Sequence, residues 1–198
     1  MTLIRRRPDL TADAFSAYWA GPHAAIARTY DGLQRYVQNH VVGRLDPAAV
    51  DSFDCDGMAE LSFASDTAMR AALASPVSQA LIQDEPTFLS GVTGLLLTGD
   101  AALDDSPDSV RVIVLGRALA SPVAPTRPPG AIAYAAARVA EHWSRAGLWS
   151  VAQPPDTVLV AQFPDDQAAR AAIDPARWPA LAGLSPWHAY QVRTVRIV

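Results

Sequence analysis

The chain of 198 residues holds four histidines, and two of them fall where several side chains could work together. His40 closes the run Tyr36-Val37-Gln38-Asn39-His40. Alternation along an extended strand puts Tyr36, Gln38 and His40 on one face. A second run, Gly57–Phe63, alternates Met58, Glu60 and Ser62 with Ala59, Leu61 and Phe63, and the latter three suit packing beneath helices. If the two runs are hairpin neighbours, the two polar sets share a face, with an imidazole beside a carboxylate and a phenol close by. A carboxylate orients an imidazole and tunes its basicity, which is the arrangement general acid–base chemistry needs. A tyrosine hydroxyl there can donate to a developing oxyanion. His23 follows Gly21-Pro22, where a helical pattern is interrupted, so its ring can reach a cavity mouth. The expected catalytic set is therefore His40 as base with Glu60 behind it, His23 as acid and Tyr36 as oxyanion donor. Trp19, Gln38, Asn39, Met58, Ser62 and Phe88 are the expected substrate-binding residues. By parity Asn39 falls on the helix-covered face and reaches a ligand only if a bulge shifts the register. The bland alternative gives the same residues no chemistry: a strand-end ion pair, aromatic packing and a capping histidine. Asp84-Glu85 read as helix-stabilising, and His142 and His188 as structural.

Other chemistries are excluded by what the chain lacks. All 16 basic residues are arginine, which removes Schiff-base lysine, pyridoxal-phosphate and P-loop lysine chemistry. The single cysteine, Cys55, permits no internal disulfide and no cysteine-built metal site, and Asp54 and Asp56 flank it without a positive neighbour to activate it. No two histidines stand at i, i+4, and no glycine-rich phosphate loop occurs, so neither metal nor cofactor is expected. A net charge of -4 argues against nucleic acid as a partner. No apolar run is long enough to span a bilayer, and no apolar stretch follows Arg5-Arg6-Arg7 as in a signal peptide. A cytoplasmic protein is expected, and the Ala, Arg, Asp and Pro richness reads as that of a GC-rich bacterial genome.

The elements that must carry these residues follow from periodicity and punctuation. Leu3–Arg6 reads as a strand, and Thr11 as the cap of a helix bearing Phe15, Tyr18 and Trp19 that resumes after Pro22 to about Arg28. Strands are expected at Leu33–Val42, Gly57–Phe63 and Thr93–Leu97, and helices at Asp66–Leu73 and Pro76–Leu89. The stretch Gly99–Asp108 is rich in turn residues and marks a linker at 101–109 between units 1–100 and 110–198. Beyond it the β-α-β-β-α-β order returns: strand Val110–Leu115, alanine-rich helix Gly130–Trp143, strands Leu148–Ala152 and Thr157–Phe163, helix Asp166–Ile173 and strand Tyr190–Val198. Two tandem ferredoxin-like modules, packed sheet to sheet, predict an α+β fold with an internal barrel. The expected ligand site is the barrel interior and its helix mouth. The second module, with one serine and one glutamine on its central strands, is expected as a degenerate wall.

The set of motifs resembles the EthD-domain family. Arg5-Arg6-Arg7-Pro8-Asp9-Leu10-Thr11 with Phe15, Tyr18-Trp19 and His23 resembles its opening, and Tyr36-Val37-Gln38-Asn39-His40 its second strand. Asp56-Gly57-Met58-Ala59-Glu60-Leu61 resembles its third strand, and Ala74-Ser75-Pro76 with Asp84-Glu85 and Phe88 its second helix. The likeness runs over residues 3–98, and the second half matches in pattern only. It implies a dimeric α+β-barrel fold and cofactor-free proton transfer (isomerisation, dehydration or cyclisation) on a hydrophobic cyclic or polyketide-like molecule. By motif position the family's first-helix histidine and second-strand tyrosine fall on His23 and Tyr36. A carrier for an apolar metabolite, or a haem-associated member with His23 or His40 as axial ligand, are the alternatives. The assembly is expected as a monomeric pseudo-dimer or a homodimer.

Overall fold

In the computed structural model, which describes residues 1–46, 52–100, 103, 108–119 and 126–198, the backbone closes on itself. Strands β1 (Thr2–Arg6), β2 (Leu33–Arg44), β3 (Gly57–Phe63) and β4 (Leu89–Asp100) come from the first half, and β5 (Val110–Ala118), β6 (Ala133–Ser144), β7 (Thr157–Phe163) and β8 (Leu184–Arg196) from the second. All pair antiparallel in the order β1-β3-β2-β8-β5-β7-β6-β4, a closed barrel. Each half contributes the spatial order 4-1-3-2 of a ferredoxin-like sheet, and the β2–β8 and β4–β6 seams join the halves. No sheet edge is left to recruit another strand. Among the described residues no helix is long and apolar enough to cross a membrane.

Helices cover the outside of the first sheet. Thr11, Ser65 and Ser75 each accept from the backbone N–H three residues on, starting α1 (Ala12–Tyr18), α3 (Asp66–Leu73) and α4 (Pro76–Asp84). A five-residue π-turn, Trp19–His23, joins α1 to α2 (Ala24–Ala27). Pro22 lies inside it and has no N–H to give the carbonyl four residues back, which is a physical reason for the ladder to widen there. In the second half, Asp165 caps α5 (Asp166–Ala172), and α6 (Pro179–Ala182) follows.

Three expectations change. The alanine-rich segment expected as a helix over 130–143 is β6: pairing with both β4 and β7 outweighs alanine's helix preference. No helix therefore stands between β5 and β6 among the described residues. Leu148–Ala152 is not a strand; Trp149 makes one isolated bridge to Gly91. The barrel interior is not a ligand space, because Leu3, Met58, Leu95, Ile113, Val160 and Tyr190 fill it, as side chains can in an eight-stranded barrel. The linker expected at 101–109 lies outside the described residues except for Leu103, Asp108 and Ser109. Leu103 packs against the barrel cluster, and its carbonyl accepts from Arg35.

Candidate active site

The register of β2 on β3 decides which side chains meet. Tyr36 lies opposite Leu61, Gln38 opposite Ala59 and His40 opposite Gly57, whereas Val37 faces Glu60 and Asn39 faces Met58. Directly opposed residues share a face. Tyr36, Gln38 and His40 therefore lie under the helices, and Asn39 joins Met58 and Glu60 on the barrel side. The expected His40–Glu60 pair does not form, and Asn39 sits on the face opposite to the one expected. The loop joining the two strands does not dictate parity, so alternation alone could not choose between the two registers.

Under α1 the three β2 side chains enter one hydrogen-bonded chain. Gln38 Nε2 donates to the Trp19 carbonyl (2.8 Å) and to Tyr36 Oη (2.8 Å). Trp19 Nε1 donates to the same Tyr36 oxygen (3.1 Å). A carbonyl can only accept, so the amide nitrogen of Gln38 must face Trp19 and its Oε1 must face His40. His40 therefore carries its proton on Nε2, donates to Oε1 (3.1 Å), and accepts at Nδ1 from the Ser16 hydroxyl (2.8 Å). Tyr36, Gln38 and His40 are buried, and Ser16, half-buried on α1, is the member nearest solvent. Burial, reinforced by the charge of Arg193, holds His40 down to about 4, so it is a neutral imidazole. Burial pushes the Tyr36 phenol up to about 12.

The carboxylate expected behind His40 stands behind His23 instead, and it belongs to Asp84. His23 Nδ1 donates to Asp84 Oδ2 (2.8 Å), and Tyr18 donates to Asp84 Oδ1 (2.6 Å). This fixes the tautomer and leaves Nε2 with its lone pair and no hydrogen-bond partner among the described residues. Burial lowers the basicity of His23 and the bond to Asp84 opposes that shift, so the ring is neutral yet has a carboxylate ready to receive a positive charge. Phe88 packs 4.8 Å from this ring and 6.0 Å from Phe15, which in turn lies 6.4 Å from His40. The two imidazoles are thus separated by packed phenyl rings. Asp84 was the residue missed. Its signal was its place at the C-terminal end of α4, where the last turn meets the π-turn carrying His23.

On the barrel side Glu60 is the hub. Its Oε1 accepts from Asn39 (2.7 Å) and Arg111 (2.8 Å), and its Oε2 from Arg35 (2.8 Å). Thr194 of β8 donates to Asn39 Oδ1 (3.2 Å), so with Arg111 the second half supplies two members of this cluster. Ser62 and Glu60 line a cleft of ≈ 410 Å³ at the start of β1, between β3 and β4. Met58 fills the barrel core. Among the described residues no group of three or more His, Cys, Asp or Glu side chains converges as metal ligands would.

Residues 7–91 match the EthD domain family. No curated protein sequence matches the chain. Among solved structures, an anthrone oxidase-like protein is 14% identical, with a TM-score of 0.62, covering 99% of this chain and 91% of that one. A candidate monooxygenase of Lactobacillus acidophilus NCFM is 10% identical at a TM-score of 0.50, covering 100% and 92%. A candidate monooxygenase of Fusobacterium nucleatum subsp. nucleatum is 9% identical at 0.52, covering 98% and 89%. At these identities the likeness is one of fold.

Proposed function

With residues 7–91 recognised as an EthD domain, we propose that the chain is a small-molecule enzyme that removes a proton from an activated carbon of a hydrophobic, cyclic or polyketide-like substrate, with His23 as its general base. The observation that carries this reading is the His23–Asp84 pair. One nitrogen is fixed on a carboxylate and the other is left as a lone pair, in a π-turn of the kind often found at functional sites. Asp84 stabilises the imidazolium that forms, and Tyr18 holds Asp84. Return of the proton to another carbon gives isomerisation, and its delivery to a leaving hydroxyl gives dehydration. Tyr36, Gln38 and His40 act behind Trp19, holding the wall of the site. His40, with both nitrogens engaged and a low proton affinity, is a positioning residue in this reading. Unit 1–100 carries the chemistry and unit 110–198 closes the barrel. The same first step would serve an oxygenase, because a carbanion freed next to a carbonyl can react onward with dioxygen.

Anthrone is a suitable probe, since its methylene carbon is acidic and its oxidation product absorbs differently. The wild-type chain is expected to accelerate exchange of those protons with D₂O, read by NMR. His23→Gln should lower that rate by about 10²-fold or more and Asp84→Asn by about 10-fold, the scale of general acid–base catalysis. His40→Gln should cost less than Asp84→Asn. Full activity in His23→Gln would remove the proposal. Formation of anthraquinone in air but not under argon would favour the oxygenase branch. Binding without exchange would favour a carrier.

A further inference from the structure

The turn that follows β6 reaches across to the helix layer of the first half. Leu148 N–H donates to the Arg145 carbonyl (3.2 Å), and Gly147 takes the positive φ of 82° that this tight turn needs. Beyond it the chain lies along the start of β4. Trp149 N–H donates to the Ser90 carbonyl (2.9 Å), Val92 N–H to the Trp149 carbonyl (2.8 Å), and Val151 N–H to Thr93 Oγ1 (2.9 Å). The Trp149 ring covers Gly91, where a Cβ would stand 2.8 Å from its Cε3. Arg145 is thereby held at the end of α4, and its Nε donates to Glu85 Oε2 (3.0 Å). Glu85 is buried; burial pushes its carboxyl up, and Arg145 opposes that shift.

Glu85 directly follows Asp84, the residue that holds His23, and the connection between them is stiff. Glu85, Pro86 and Thr87 form one 3₁₀ turn, in which the proline ring fixes its own φ. Thr87 Oγ1 donates to the Asp84 carbonyl (2.7 Å), and Phe88 N–H to the Glu85 carbonyl (3.2 Å). Asp84 at the head of this turn bonds His23, and Phe88 at its foot packs on the same ring. On the reading of His23 as general base, we infer that Arg145 is a positioning residue for it: the second half grips Glu85 and so sets the turn that lays Asp84 and Phe88 against the imidazole. A buried carboxylate stripped of its cation turns toward water, and Glu85 cannot do so without moving Asp84. Arg145 touches no reacting atom; it acts by keeping Nδ1 as the donor and Nε2 as the lone pair. Both halves are then needed for the site as well as for the barrel.

Nitrogen-15 NMR of the histidine-labelled full chain reads this without a substrate, with His23 assigned from the signals missing in His23→Gln. The wild-type ring is expected to be locked with its proton on Nδ1. Arg145→Met, of similar bulk and no charge, should let the Nε2–H tautomer appear beside it, and Arg145→Lys should restore the single tautomer. In the anthrone exchange assay Arg145→Met should lower kcat by about 3- to 10-fold with KM unchanged, and should cost nothing further in an Asp84→Asn background, because residues that act through one contact do not add. A locked tautomer in Arg145→Met, or a full further loss on top of Asp84→Asn, would overturn the positioning role. If Arg145→Met does not fold, Arg145→Met/Glu85→Gln, which removes the stranded charge with its partner, is read in its place and should show the same mixed tautomers. A tautomer that responds to Arg145 in a chain without exchange activity would remove the base and keep the grip. Exchange activity with a tautomer indifferent to Arg145 would do the reverse.

Discussion

Strand β3 with α3 and strand β7 with α5 are the same structure one hundred residues apart, at 57–63 and 66–73 against 157–163 and 166–172. Asp56 and Asp156 make the same turn: each donates its backbone N–H to the β1 or β5 carbonyl and accepts the N–H two residues farther along. The registers then align Tyr36 with Tyr134, Gln38 with Ala136 and His40 with Arg138. In the first half that face buries a polar chain in which every member has a partner. In the second the corresponding layer is apolar, built on Phe163, Trp178 and Leu181, and the buried Tyr134 hydroxyl has no hydrogen-bond partner among the described residues. The difference tracks α1. Where that helix lies on the sheet, Trp19 and Ser16 give Gln38 and His40 something to bond; where no such helix is described, alanine replaces glutamine. Barrel closure needs both halves, while polar side chains under helices need one partner each, and only the first half supplies them.

The sharpest way to break this comparison is to give the first half a second-half residue at the hub. Val160 is the counterpart of Glu60, so Glu60→Val makes the barrel faces alike. It also leaves Arg35 and Arg111 without the carboxylate that both use, and removing one partner of a buried ion pair costs about 3–5 kcal/mol. The expected result is a large fall in the urea midpoint with an unchanged m-value. A loss below about 1 kcal/mol would mean that this end of the barrel does not depend on Glu60.

A second exchange asks whether Trp19 is what makes the halves differ. A Cβ on Gly57 would meet Trp19 Cζ3 at 2.5 Å and Cη2 at 2.8 Å, and Thr157 occupies the matching position with its side chain in place. Trp19 is fully buried and tied to Tyr36, so it cannot yield without breaking that bond. Gly57→Thr is expected to cost about 3 kcal/mol, the upper end for overpacking, while Thr157→Gly costs about 1 kcal/mol, as for a strand glycine. Equal costs in denaturant titrations would show that the two positions are equivalent after all.

Most elements of the first half were legible, because caps, prolines and alternating runs all agree there. Gly57–Phe63 and Thr157–Phe163 are found with the ends read from sequence. Segment 130–143 was not, since alanine occupies both faces of β6 and hides the period of two. A clue lay in the repeat: Asp56, Phe63, Asp66, Ala68, Arg70, Ala71 and Ala72 recur one hundred positions later as Asp156, Phe163, Asp166, Ala168, Arg170, Ala171 and Ala172. That match puts a strand ahead of β7 as β2 stands ahead of β3. The residue types of the site were legible as well, but their partners were not. Parity across a long connection fixed neither which face Glu60 shares nor that Asp84, sixty-one residues from His23, closes on its ring.

The gentlest test concerns protons. His40 titrates near 6.5 when unfolded and at about 4 when folded, because burial and Arg193 oppose its positive charge. Between those values the unfolded chain binds a proton that the folded chain refuses. Stability is therefore full above pH 6.5, falls as the pH drops toward 4, and gains no further slope from this group below that. At 1.36 kcal/mol per unit the contribution is at most about 3 kcal/mol. His23, lowered in the same direction, adds to the slope and remains in the variant. His40→Gln should thus flatten, without abolishing, the decline in urea midpoint between pH 6.5 and pH 4. Arg138→His places an imidazole at the matching position of the second half, which is exposed, and should leave the profile as it is in the wild type. If both variants follow the wild-type curve, His40 is not shielded from water in the way that α1 and Trp19 require, and the contrast between the two faces loses its physical basis.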